Sequence, residues 1–215
     1  MGLLITPSLF DSIDWLNKCP ASYKKGAYKQ LSNSLNRVWT PPNKAIKRGM
    51  DYEKKLCHGV SPIDDVAPDL HEKFKKAYDR IHAEGCNFQH KAKKNIFMDE
   101  KEFTLYGKLD VYFEDKPIID IKTTGNYRGK GSYLSKWQHK VYPFCTGIAD
   151  FTYIVYEFDN DSGLLINIHF IDYHVDDFVA LEKEIMDNLA KVIKFIRSDV
   201  KLKKAYLNTF NMYNN

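Results

Sequence analysis

Residues 105–125 read LYGKLDVYFEDKPIIDIKTTG: two apolar runs around the turn formers Glu114, Asp115 and Lys116. Side chains alternate faces along a strand, so Leu109, Val111 and Phe113 share one face while Lys108, Asp110 and Tyr112 share the other. In the second run Ile119 and Ile121 form the apolar face, and Ile118, Asp120 and Lys122 lie opposite. A turn at 114–116 pairs Phe113 with Pro117, and counting back sets Asp110 across from Asp120. A one-residue slip would turn Ile119 and Ile121 out of the core, whereas a two-residue slip keeps the apolar faces and stays open. Opposed residues have Cβ atoms about 4.5 to 5.5 Å apart, where like charges destabilise the pair. A divalent cation between them reverses that sign. The alternative is an exposed hairpin whose charges only solvate one face.

Two helical segments flank this hairpin. In residues 41–59, PPNKAIKRGMDYEKKLCHG, a helix starts near the prolines and stops at Gly59. Ile46, Met50, Glu53 and Cys57 then fall on one face, so Glu53 interrupts an apolar stripe. A buried carboxylate is costly without a partner, unless this is a stripe edge where Glu53 reaches solvent. Residues 131–147, GSYLSKWQHKVYPFCTG, give a helix beginning near Ser132 with Leu134, Trp137, Val141, Cys145 and Ile148 inward. Gln138 and Tyr142, four apart, share the adjacent strip, a common pattern on helix flanks.

Elsewhere, periodicity predicts helices near 8–18, 21–34, 43–57 and 68–84, the last closed by Gly85. Strands follow near 87–98, 102–114 and 117–124. After the Gln138 helix come strands 151–158 and 164–171, hinged at 159–163. Phe178, Leu181, Ile185, Leu189, Val192 and Ile196 mark the inner stripe of a long final helix. The expectation is one α/β domain over 1–215, a mixed central sheet flanked by helices, with a helical N-terminal region over about 1–85. At 215 residues, 44% hydrophobic and 28% charged, the chain suits one well-cored globular domain.

Net charge is only +4. Residues 1–60 hold ten Lys and Arg against four Asp and Glu, while the rest holds 22 against 24. Further basic patches are Lys91, Lys93 and Lys94, and Arg128 with Lys130. Such patches usually solvate a face; beside a metal site they suit phosphate contacts. The glycine-rich loop 125–131 lacks Walker spacing. Cys19, Cys57, Cys86 and Cys145 have no Cys-x-x-Cys spacing, against a zinc site and for reduced thiols. No run approaches a membrane span and no signal peptide opens the chain, so a cytoplasmic protein without membrane contact is expected.

Asp110 followed ten positions later by Asp120-x-Lys122 resembles the PD-(D/E)XK nuclease superfamily. Within it, three further elements resemble the RecB-like exonuclease group: Arg48-Gly49 with Glu53 four positions after the glycine, Gln138-x-x-x-Tyr142, and Ser12 to Cys19-Pro20 followed by Tyr23-Lys24. They run in family order from about 12 to 142. The resemblance implies a restriction-endonuclease-like αβββαβ core. It implies that Glu53, Asp110, Asp120 and the carbonyl of Ile121 bind Mg²⁺ or Mn²⁺, that Lys122 orients or activates water and stabilises the phosphate, and that Gln138 positions water or phosphate. Tyr142, Arg48, Arg128 and Lys130 would hold DNA. Some relatives carry an iron-sulfur cluster on one early and three late cysteines; this chain has Cys19 but none after Cys145, so no cluster is expected. The implied function is a metal-dependent DNA exonuclease of recombination, repair or DNA processing, of phage or mobile-element type and acting in the cytoplasm of the bacterial host if viral. A homo-oligomer or a recombination partner protein is left open. The alternatives are a catalytically silent DNA-binding or assembly subunit of the same fold, and an endonuclease.

Overall fold

A computed structural model describes residues 3–210, leaving out the side chain of Phe210. The element order is β1 (Leu3–Ile5), α1 (Pro7–Lys18), α2 (Ala21–Leu35), α3 (Lys44–Cys57), α4 (His71–Ile81), β2 (Asn87–Met98), β3 (Lys101–Tyr112), β4 (Ile118–Thr124), α5 (Gly131–Leu134), α6 (Gln138–Thr146), β5 (Asp150–Phe158), β6 (Leu165–His174), α7 (Phe178–Ser198) and α8 (Val200–Phe210). Two 3₁₀ turns, Ile63–Asp65 and Pro68–Leu70, lead into α4.

β3 is the hub of a six-stranded mixed sheet. β2 pairs with it antiparallel along nearly its whole length, β1 runs parallel to Phe103–Leu105, and β4 meets it antiparallel at Val111 opposite Ile119. β4 then pairs parallel with β5, and β5 antiparallel with β6. The Val111–Ile119 rung has the same offset as Phe113 with Pro117. It is the register expected from the three-residue turn, in line with Asp110 opposite Asp120, and removes the two-residue slip.

Each face of the sheet carries its own core. On one, α1, α2, α6, α7 and α8 bury residues such as Phe10, Leu31, Val141, Ile185 and Leu202 against Phe103, Leu105, Leu109, Ile118, Tyr153 and Val155. On the other, Tyr52 and Leu56 of α3 and Phe74, Ala77 and Ile81 of α4 cover Val111, Phe113, Ile119, Ile121, Ile154 and Tyr156. Leu109 and Val111 are alternate residues of one strand yet belong to different cores; the backbone changes its packing partner across Asp110. The stripe Leu181, Ile185, Leu189, Val192 and Ile196 is buried as expected. Such side chains contribute about 1.5–3 kcal/mol each, an upper bound set by an extended unfolded reference.

Side-chain caps start α1 and α3. Asn43 accepts from Ile46 N at 2.9 Å at the head of α3, and Thr6 caps α1 ahead of Pro7. The single helix expected over 132–148 is instead two, broken at Ser135–Trp137. There the Trp137 backbone N–H donates to Asp11 Oδ1 at 3.1 Å and its indole N–H to Asp14 Oδ2 at 3.1 Å, so α1 takes a bond that a continuous helix would keep. β1 and α8, neither foreseen, pack together: the Tyr206 hydroxyl donates to Leu4 O at 2.8 Å. Among the described residues no helix is long and apolar enough to cross a membrane.

Candidate active site

Asp120 sits mid-strand in β4 and is 1% exposed. Its Oδ1 accepts from Gln138 Nε2 at 3.1 Å. Its Oδ2 faces the Lys122 ammonium and takes no other hydrogen bond among the described residues. Across the rung, Asp110 Oδ1 accepts from Gln89 Nε2 at 3.1 Å and Oδ2 from the Ile121 N–H at 2.8 Å. Ile121 thus meets Asp110 through its amide, while its side chain lies in the second core.

Glu53 reaches these acids from α3 by a close approach. A Cβ on Gly49 would stand 2.2 Å from Thr123 Oγ1, so only glycine lets α3 lie this near β4. The helix buries Gly49, Tyr52 and Leu56. This corrects the expected stripe: Ile46 and Met50 are 53% and 59% exposed, and Glu53 with Cys57 lies at the buried edge. Periodicity placed the stripe on the larger side chains, whereas the contact is made through the residue that has none.

The electrostatics show how close the acids are to one another. Burial pushes Asp120 up to about 7; Lys122 opposes the rise, and Asp110 and Glu53 add to it. Burial, then the charge of Asp110, raises Glu53. Burial likewise raises Asp110 against the pull of Lys122. Burial works to lower Lys122, but Asp120 and Asp110 outweigh it and hold the amine charged. Lys122 is the internal counter-charge of the group.

As placed, no three His, Cys, Asp or Glu side chains among the described residues form a ready metal-binding cluster. The donor chemistry nevertheless suits a hard divalent cation: three carboxylates, of which Asp110 raises the proton affinity of the other two, and one with a buried oxygen met only by an ammonium.

The remaining predicted residues divide by burial. Gln138 Nε2 also donates to the Tyr142 hydroxyl at 3.1 Å, which donates to Lys108 O at 3.2 Å. Tyr142 is 4% exposed and its ring packs against Gly107, where a Cβ would be 2.5 Å from it. So placed, it supports Gln138 from behind rather than presenting a surface to DNA. Arg48 donates to Asp159 O at 3.1 Å and stacks 4.8 Å over Phe158. Arg128 and Lys130 are exposed on the 125–131 loop. That loop is pinned at Tyr127, whose N–H donates to Glu157 Oε1 at 3.0 Å and whose ring stacks on His169 at 3.6 Å.

Gln89 was missed. It occupies the break in the β2–β3 ladder opposite Asp110 with φ +55°, and besides Asp110 it reaches Glu53 and Cys57. A glutamine in a lysine-rich edge strand reads as surface, and nothing in the alternation marks the bulge. Asp11 and Asp14, which hold Trp137 next to Gln138, were missed as well.

No family model matches the chain, and no curated protein matches it significantly. Solved structures do match. A phage-related exonuclease from Haemophilus somnus 129PT aligns over 99% of this chain and 97% of its own, with TM-score 0.53 and 12% identity. The alkaline exonuclease LHK-Exo from Laribacter hongkongensis aligns over 94% of each chain, with TM-score 0.50 and 17% identity. With a mixed six-stranded sheet between helical layers, the chain has the restriction-endonuclease-like fold shared with these exonuclease structures.

Proposed function

We propose that this protein is a divalent-metal-dependent deoxyribonuclease that degrades DNA from an end. The observation that carries the reading is the placing of Asp110 and Asp120 on adjacent strands joined at Val111–Ile119, with Lys122 against Asp120 and Asp120 Oδ2 unclaimed by any neutral donor. The exonuclease neighbours agree with it at the level of fold.

Hydrolysis joins a water oxygen to phosphorus and breaks the phosphorus–oxygen ester bond opposite; the water gives up a proton and the departing oxygen gains one. Glu53, Asp110, Asp120 and the Ile121 carbonyl would hold Mg²⁺ or Mn²⁺, which supplies charge neutralisation and a more acidic water. Lys122, kept charged by its two carboxylate neighbours, donates hydrogen bonds to the phosphate and neutralises charge built up there. Beside the cation it would also orient or activate the water. Gln138, tied to Asp120 and Tyr142, keeps the Asp120 carboxylate in one orientation. Arg48, Arg128 and Lys130 offer phosphate contacts around the site. Roles in recombination, repair or a phage cycle belong to the same proposal.

Incubating linear and circular DNA with Mg²⁺ tests the reading. Loss of linear DNA alone is expected; nicked circles mean an endonuclease, and DNA binding without a product in any divalent metal means a silent subunit. Lys122→Ala and Asp110→Asn should each abolish cleavage with the fold intact by circular dichroism. Cleavage retained in either removes the assignment.

A further inference from the structure

Helix α3 carries different chemistry on two faces. Glu53 points to the acids, and roughly half a turn around the helix lies a basic stripe through Lys44, Lys47, Arg48, Lys55 and His58. That stripe forms one wall of an open groove of about 760 Å³, whose floor and far wall include Tyr52, Phe158 and Val60. Five Lys and Arg line it, Lys54 among them, against two acids, Asp51 and Asp65. Lys55 pairs with Asp65 at 2.9 Å, both half exposed. Lys44, Lys47 and Lys54 pair with no carboxylate among the described residues. Like charges at three- and four-residue spacing cost a helix stability, so this stripe is maintained against the local preference.

The groove does not end at α3. Arg48 and Phe158 also line a smaller hollow of about 270 Å³ that contains Gly49, Glu53, Thr123 and Thr124. Thr124 and Gly125 in turn line a third, of about 470 Å³, with Arg128, Ser132 and Asn160. The three hollows adjoin one another: Arg48 and Phe158 divide the basic groove from the hollow at Glu53, and Thr124 with Gly125 divides that hollow from the one at Arg128. From Lys44 to His58 the helix rises about 21 Å, which matches about six phosphates at 3.4 Å each along one strand.

The geometry points to an exosite: the basic face of α3 holds a stretch of nucleic-acid strand outside the segment being cut. This rests on the nuclease reading and specifies its substrate as a polymer that engages two places at once. A strand lying only across three carboxylates is repelled by them; tethering it at α3 raises its local concentration there. An acidic peptide would meet the same cations, but the groove neighbours the hollow at Glu53 across Arg48 and Phe158, which favours the phosphodiester chain.

The test is fluorescence anisotropy of labelled single strands with EDTA present, so that nothing is cut. Lengthening the oligonucleotide from about two nucleotides, too short to span the stripe, to about twenty should tighten wild-type binding at least tenfold. The triple variant Lys44→Gln, Lys47→Gln, Lys54→Gln should lose that gain and reduce the slope of log K against log salt by about 2, as three lost phosphate contacts require. Wild-type affinity and slope in the variant, or an equal loss for short and long strands, overturns the exosite. On the unaltered protein, bound DNA should protect Lys44, Lys47 and Lys54 from acetylation while Lys183 and Lys191 of α7 stay reactive; uniform or absent protection overturns it too. So does polyglutamate that displaces DNA at equal charge concentration, which assigns the groove to an acidic protein. A separate Mg²⁺ cleavage assay keeps the two readings apart. Cutting without any groove effect sinks the exosite alone, and a groove effect without cutting in any divalent metal sinks the nuclease alone.

Discussion

The side-chain amide of Gln138 donates to Asp120 Oδ1 and to the Tyr142 hydroxyl, 3.1 Å in each case, so both of its N–H groups are committed. The hydroxyl donates onward to Lys108 O, making a relay from the acid on β4 through α6 to β3. Removing Gln138 leaves a buried carboxylate oxygen unsatisfied, which costs about 1–3 kcal/mol, while removing the Tyr142 hydroxyl loses one neutral bond of about 0.5–1.5 kcal/mol. Tyr142→Phe should therefore slow Mg²⁺-dependent cleavage by about two- to tenfold and Gln138→Ala by more, with DNA affinity in EDTA unchanged for Tyr142→Phe. A large affinity loss in Tyr142→Phe would return the residue to the DNA surface.

The contact between Gly49 and Thr123 sets how near Glu53 comes. Gly49→Ala must push Thr123 Oγ1 away or lift α3, at about 1–3 kcal/mol. The variant should unfold at lower denaturant and cut DNA more slowly. Adding Thr123→Ala removes the obstructing atom, so the double variant should recover much of both, a coupling that thermal melts and cleavage rates will show.

Gln89 combines a left-handed backbone with a functional side chain. Gln89→Gly relieves the φ cost and Gln89→Ala keeps it, while both delete the donor to Asp110. Gln89→Gly should be the more stable of the two by about 1 kcal/mol in urea melts, with cleavage reduced alike in both. Equal stability would show the backbone to be relaxed in solution.

Asp11 supplies a pH dependence away from the acids. Burial pushes its carboxyl up to about 6, with Lys136 and the Trp137 N–H acting against the rise. A raised carboxyl stabilises the fold fully below its unfolded value near 3.9, and that contribution is lost as pH climbs through 6. Asp11→Asn keeps the acceptor for Trp137 and does not ionise. Relative to the parent, its melting temperature should gain about 3 °C between pH 4 and pH 8. A gain at acid pH instead reverses the assignment.

Much of this arrangement was legible because alternation and turn length are local. The register of Asp110 against Asp120 followed from Ile119, Ile121 and a three-residue turn, and the single rung at Val111–Ile119 bears it out. The order of helices and strands followed in the same way. What was not legible depends on contacts between distant segments. Asp11 and Asp14 break the helix at Trp137 from more than a hundred residues away. Gly49 moves the buried stripe of α3 because Thr123 waits on another element. Gln89 departs from strand geometry where its amide meets Asp110, a residue of another strand. The short β1 and the final α8 depend on each other and on β3, so neither has a pattern of its own to read.

Leu109 and Val111 pack into opposite cores although one strand carries both, and Asp110 is the residue between them. The two helical layers are therefore stitched together at the very carboxylate on which the chemistry is proposed to turn. Neither layer can melt while the other stays folded without pulling Asp110 out of line with Asp120. Denaturant should abolish activity along the same curve that erases helix and aromatic signals, with no interval in which a partly folded chain still cuts.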